Sequence, residues 1–288
     1  MSTNPCHMGT LAIALVGAFV SGTARAAEPV AAATPWVEAQ AARVRLVAGA
    51  DADRAGKSFL AGVEIVMAQG WKTYWRNPGE AGVPPNFDWS GSTNTASIKV
   101  TYPAPIRLVD PAAEMIGYKS SVLFPVAVSP QDPSQAVELR LALEFAVCRE
   151  ICIPAQASMH LTLPPALLKG APTPLVAAAQ ARVPRSPPAR RGSDPVLLGV
   201  TAKLEGPDPV LQIEAKFPAG SAGADLFVEA PDGIFLPMAQ KLPGESDATV
   251  RFMVDLSRSG VAPELKGKEL TLTLVSDAGA SEVAWTLP

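Results

Sequence analysis

"VELRLALEFAVCREICIPAQASMHLTL", residues 137–163, alternates apolar and polar side chains on both sides of a short break. Successive side chains of a strand point to opposite faces. Val137, Leu139, Leu141, Leu143, Phe145 and Val147 therefore share one face, and Glu138, Arg140, Ala142, Glu144, Ala146 and Cys148 share the other. After the break, Ala155, Ala157, Met159, Leu161 and Leu163 alternate with Gln156, Ser158, His160 and Thr162. This period of two predicts a hairpin with its connection across 148–154, and an all-β fold around it.

The same alternation recurs on either side. It marks strands at 42–48, 59–68, 97–102 and 122–128, and again at 211–217, 224–229, 249–256, 270–275 and 283–287. Stretches such as "RNPGEAGVPPN", 76–86, punctuate them with glycine and proline. Many short strands at this spacing predict antiparallel β-sandwiches. Between the two groups, eight of the 32 residues of 164–195 are proline, and Arg182, Arg185, Arg190 and Arg191 give a local basic tilt. That segment reads as an interdomain linker with a short helix over 175–183. The expected architecture is thus two β-sandwich domains in tandem, 27–163 and 196–288. The second contains no cysteine, no histidine and no chemical cluster that reveals a role.

The chain has 288 residues, 48% apolar and 18% charged, with a formal charge of −3. It is too weakly basic for a nucleic-acid partner. "GTLAIALVGAFVSG", 9–22, followed by Ala24-Arg25-Ala26, has the length and cleavage signature of a secretory signal peptide covering 1–26. The apolar run is short for a membrane span, so a soluble exported protein without stable membrane insertion is expected. Cys6 leaves with the signal, and Cys148 and Cys152 remain in an oxidising compartment where they tend to pair.

The position of that pair is informative. A structural cysteine belongs among the leucines of the core face, whereas Cys148 has the opposite parity. Four extended residues would hold the two Cα atoms ~13 Å apart, and a disulfide needs less than about 7 Å. The segment must curl, helped by Pro154. A ring this small is a poor staple, adding about 2 kcal/mol in the loop-closure model. Three readings stay open: a redox-active pair, a Cu(I) site assisted by Met159 or Met115, and a structural disulfide in a scaffold. Zinc is disfavoured, because a structural site takes four ligands. His160 lies eight residues beyond Cys152, ~27 Å along a regular strand, so Cys–His catalysis is disfavoured too. Of the intervening residues, Arg149 would lower a thiol pKa and Glu150 would raise it.

Four stretches in order across 70–155, "GWKTYWRNPGEAGVPPNFDW", "YPAPIR", "MIGYKSSVLFPVAV" and "AVCREICIPA", carry a resemblance. Over about residues 36–165 the chain resembles the N-terminal periplasmic domain of the DsbD-type thiol:disulfide interchange proteins, including the branch associated with suppression of copper sensitivity. The resemblance implies an immunoglobulin-like sandwich carrying a redox-active disulfide, Cys148–Cys152. It implies a protein-disulfide reductase-like thiol–disulfide oxidoreductase of the periplasm, with no cofactor. Cys152 would form the mixed disulfide with a partner and Cys148 would resolve it. A cap loop, Glu114-Met115-Ile116-Gly117, would shield the pair, with Tyr74, Trp75 and Arg76 in the region packed beside it. Tyr74 and Trp75 alternate faces, so a regular strand points at most one of them at the cysteines.

Three departures bear on the expectation. The best-known members place five residues between the cysteines, and here there are three. Met115 stands where the family's cap has an aromatic residue. Full-length members continue into a multi-span membrane domain and a thioredoxin-like domain, neither of which this sequence contains, so the expected partners are a separate membrane thiol electron carrier and periplasmic thioredoxin-fold proteins.

Overall fold

The computed structural model describes Met1 and residues 33–49, 57–110, 113–170, 173–231, 233–243 and 248–288. Apart from Met1, the expected signal segment lies outside the described residues. Residues Ala31–Pro288 make one compact unit, and none of its described helices is long and apolar enough to cross a membrane.

The first half supplies β1 (Val37–Ala39), β2 (Ala42–Val47), β3 (Phe59–Met67), β4 (Lys72–Gly79), β5 (Asn86–Asp88), β6 (Thr95–Val100), β7 (Ile106–Val109), β8 (Glu114–Lys119), β9 (Ser121–Pro130), β10 (Val137–Cys148) and β11 (Cys152–Leu163). They form a five-stranded sheet in the order β1-β2-β3-β9-β6 and a six-stranded sheet in the order β11-β10-β4-β8-β7, with β5 paired to β10. Every pairing is antiparallel. The apolar face of 137–147 does what its parity predicts. Val137, Leu139, Leu141, Leu143, Phe145 and Val147 meet Phe59, Val63, Ile65, Phe124 and Val126 of the opposite sheet in one core.

A short helix, α1 (Pro174–Ala181), follows β11. The segment between the halves is docked on the protein: Val176 and Ala179 of α1 pack on Val47, Leu60 and Leu123. Farther along, Arg185 exchanges backbone hydrogen bonds with Ala280 and Glu282.

The second half contributes β12 (Val196–Lys203), β13 (Val210–Lys216), β14 (Asp225–Glu229), β15 (Gln240–Lys241), β16 (Thr249–Asp255), β17 (Glu269–Ser276) and β18 (Gly279–Thr286). A four-stranded sheet, β12-β13-β16-β15, and a three-stranded sheet, β14-β17-β18, enclose a second core built on Leu211, Ile213, Phe252, Val254, Leu270 and Leu272.

The two halves share side-chain contacts at β14. Leu226 and Val228 belong to the second core, while Phe227 joins the first. Phe227 lies 5.9 Å, centroid to centroid, from Trp75 of β4, within the range where tilted aromatic pairs attract. On either side of Phe227 along the same strand face, Asp225 meets Arg107 and Glu229 meets Arg76.

Candidate redox site

β10 and β11 stay in unbroken register from Val137↔Leu163 to Cys148↔Cys152. The cysteines are therefore the last rung of the ladder, directly opposite each other with Cα atoms 4.2 Å apart, and their sulfurs are bonded. Residues 149–151 turn the corner, with the Arg149 N–H donating to the Ile151 carbonyl at 3.2 Å. Pro154 is tolerated because β11 is an edge strand.

The two sulfurs have different surroundings. Cys152 is exposed beside Ile151, itself 69% exposed. Cys148 is 2% exposed, on the outer face of its sheet and away from the main core as its parity predicts. It is covered by a small apolar cluster of Tyr74, Leu108, Met115 and Ala146.

Tyr74 links the pair to this cover. Its hydroxyl lies 2.7 Å from Cys148 Sγ and 3.0 Å from Cys152 Sγ. A disulfide sulfur carries no hydrogen, so the tyrosine is the donor. The same oxygen is 3.6 Å from Met115 Sδ. Burial, with a further contribution from the Asp110 carboxylate, raises the Tyr74 pKa above its ordinary value, so the hydroxyl keeps the proton it donates. The tyrosine fits because the chain around it is bare. A Cβ at Gly82, where φ is +122°, would stand 2.3 Å from the Tyr74 ring, and one at Gly117 would stand 2.1 Å from the Thr73 carbonyl across the β4–β8 pairing.

Lys72 and Asp110 complete the surroundings. Lys72 is the Cα partner of Cys148 in the β4–β10 register. It is 6% exposed and its ammonium is ion-paired with Asp110. Neither was selected from sequence. Period-two parity with Tyr74 was the signal that could have found Lys72, because a lysine two residues before a buried tyrosine shares its face. Nothing local in the sequence marks Asp110.

The remaining residues singled out from sequence divide between the two faces of the sheet. The stretch Glu114–Lys119 is a strand between β4 and β7 rather than a loop. A strand segment alternates its faces, so Met115 covers Cys148 while Ile116 points into the main core. Trp75, next to Tyr74, likewise faces the main core and is fully buried against Phe227. Gly117 is the backbone partner of Tyr74. Glu114 is ion-paired with Arg107 at 2.6 Å, and Arg76 stacks over Trp75 at 4.4 Å.

His160 is in hydrogen-bond contact with Glu138 on the solvent side of the β10–β11 hairpin, and Met159 belongs to the main core. Among the described residues no group of three or more His, Cys, Asp or Glu side chains gathers to hold a metal. The soft donors that do come together are the two cysteine sulfurs and Met115.

The hydrogen-bond geometry makes a direct prediction. In the reduced form the Tyr74 hydroxyl can donate to a thiolate, which favours the charged form. Tyr74→Phe removes that donor, about 1.5 kcal/mol for a bond to a charged group, or about one pKa unit. The pH–rate profile for alkylation of reduced Cys152 is expected to move upward by that amount. An unmoved profile would show that the hydroxyl leaves the sulfur on reduction.

The chain is similar to known proteins in sequence over part of its length and in fold over most of it. Residues 43–164 match the family model described as thiol:disulfide interchange protein DsbD, N-terminal. The crystal structure of the N-terminal periplasmic domain of ScsB from Proteus mirabilis superposes with a TM-score of 0.66 at 22% sequence identity, covering 89% of this chain and 98% of that one. Because the superposition extends well beyond residues 43–164, it includes the second pair of sheets as well as the first. No curated protein matches the chain in sequence.

Proposed function

We propose, from the premise that residues 43–164 match the DsbD N-terminal family, that this protein is a periplasmic thiol–disulfide exchange protein working through Cys148 and Cys152. The observation that carries the proposal is the unequal exposure of two bonded sulfurs that share one tyrosine hydroxyl. A staple needs neither an open sulfur nor a proton donor beside it.

In the proposed cycle a membrane thiol carrier reduces the disulfide, leaving two thiols. The Cys152 thiolate attacks one sulfur of a thioredoxin-fold partner's disulfide. A new intermolecular S–S bond forms, the partner's bond breaks, and its second sulfur leaves as a thiolate that takes a proton. Cys148, as a thiolate, then attacks Cys152 Sγ, re-forming the Cys148–Cys152 bond and releasing the partner's first sulfur. Two electrons move to the partner, and the protein is oxidised. Tyr74 holds a proton within reach of both sulfurs, and its hydroxyl can donate to the thiolate that the resolving step needs. In this reading Met115 and Tyr74 act as the shield, and the first pair of sheets is the immunoglobulin-like sandwich of the family.

The deciding measurement equilibrates the protein in graded thiol buffers, traps it by alkylation and weighs it. A potential between about −120 and −270 mV places the couple among exchange-active ones. A potential below about −300 mV, with cysteines unreactive until unfolding, would make it a structural disulfide. One observation favours a second reading: Met115 Sδ lies in the same cluster as Cys148, so two thiolates and a thioether could hold Cu(I). Copper content of the reduced protein after dialysis separates the two, since an exchange protein comes out metal-free.

A further inference from the structure

The strands around the disulfide have two faces, and the second half of the chain grips one of them. On β4, Tyr74 points to the sulfurs while Trp75 packs on Phe227 of β14. On β7, Leu108 lines the cluster over Cys148 while Arg107 reaches the second half. On β8, Met115 covers Cys148 while Glu114 meets Arg107. All three strands of this wall thus lead, by their opposite faces, to β14.

The contacts are directional. Arg107 donates to both carboxylate oxygens of Asp225, Nε at 2.9 Å and Nη2 at 2.7 Å, and to the Ala239 carbonyl at 2.7 Å. Its remaining arm, Nη1, donates to Glu114 at 2.6 Å. Arg76 makes a matching fork on Glu229, Nε at 3.0 Å and Nη2 at 2.6 Å, and also pairs with Glu282 of β18. Forked arginine–carboxylate pairs fix orientation as well as distance. Burial would lower the pKa of each guanidinium, but the facing carboxylates outweigh it and hold both arginines charged. Glu114 is further tied to the loop over Tyr74, accepting the Glu80 N–H at its carbonyl and donating its own N–H to the Glu80 carboxylate.

We infer that the second half of the chain is an intramolecular clamp on the redox site: the Asp225–Phe227–Glu229 face of β14 holds β4, β7 and β8 so that Met115 and Tyr74 stay closed over Cys148. Asp225 and Arg107 are positioning residues, acting through Glu114 and β8 rather than on sulfur. The inference deepens the exchange reading of the same site and assigns β14 the task of keeping the resolving sulfur covered.

The test uses the reduced full chain with Cys152→Ser, following alkylation of Cys148 by iodoacetamide at its own peptide by mass spectrometry. Adding Asp225→Asn keeps the shape and removes the charge. It is expected to speed Cys148 alkylation by about fivefold or more, through local opening of β8, while Asp225→Glu restores the slow rate. Val254→Ala, in the second core but on β16 of the other sheet and outside the Asp225–Phe227–Glu229 face, serves as the control for general destabilisation. The clamp is overturned if Asp225→Asn leaves the rate within about twofold of its parent, or if Val254→Ala exposes Cys148 as much at equal loss of stability. Alkylation needs no partner protein, so a failed clamp and a failed exchange function give separate results. Opening of Cys148 in a protein that exchanges with no disulfide partner would support the clamp and remove the exchange reading.

Discussion

Cys148→Ser is expected to leave a protein that captures disulfide partners and cannot release them, whereas Cys152→Ser leaves one that captures almost nothing. The asymmetry follows from access. A partner's disulfide must approach the attacking thiolate in line, and only Cys152 stands on the open side of the hairpin tip. Cys148, 2% exposed beneath Tyr74 and Met115, can reach one sulfur alone, that of Cys152. With Cys148 removed, the mixed disulfide on Cys152 has no resolving thiol and should persist on a non-reducing gel. Iodoacetamide should react with Cys152 of the Cys148→Ser variant on the order of 100 times faster than with Cys148 of the Cys152→Ser variant, since the buried site reacts through local opening. Equal rates would contradict the assignment of roles and the geometry on which it rests.

The second large effect is expected at Trp75. Its ring is fully buried and lies between Arg76 and Phe227, where the two halves of the chain share a core. Trp75→Ala is expected to cost about 3–5 kcal/mol, the range for emptying such a site. Trp75→Phe should cost much less, because the indole Nε1 is buried without a hydrogen-bond partner and its loss relieves an unsatisfied group. Urea titration checks both. If the two variants lose equal stability, the energy resides in the indole shape rather than in the filled volume.

How much of this was legible in the sequence depended on whether a strand has one buried face or two. β2, β3, β10, β11, β13, β16 and β17 were marked by alternation, because one face meets a core and the other meets water or a thinner cover. β4 and β8 did not alternate, since they are buried on both sides, with the core on one and the cysteine cluster on the other. β8 was consequently read as a loop, and the Met115/Ile116 division between faces went unseen. In β14, which alternation did mark as a strand, the double burial hid the role rather than the element: Leu226 and Val228 serve one core and Phe227 the other. The cysteines were legible from parity and spacing. Tyr74 was legible only through family resemblance, and Lys72 and Asp110 became visible only when the register brought distant segments together.

The unbroken β10–β11 register has a consequence for turnover. The disulfide closes the final rung of a ladder whose other eleven pairs do not depend on it. Reduction is therefore expected to change two sulfurs and a three-residue corner while the backbone of the ladder keeps its shape. A docking partner that touches only that backbone has the same contacts before and after exchange, and contacts that do not differ between two states cannot favour either. In the proposed exchange cycle, product inhibition is therefore expected: spent and charged forms would compete for the same surface with similar affinity. The direction of flow would then be left to the difference in potential between the couples rather than to any selection by shape.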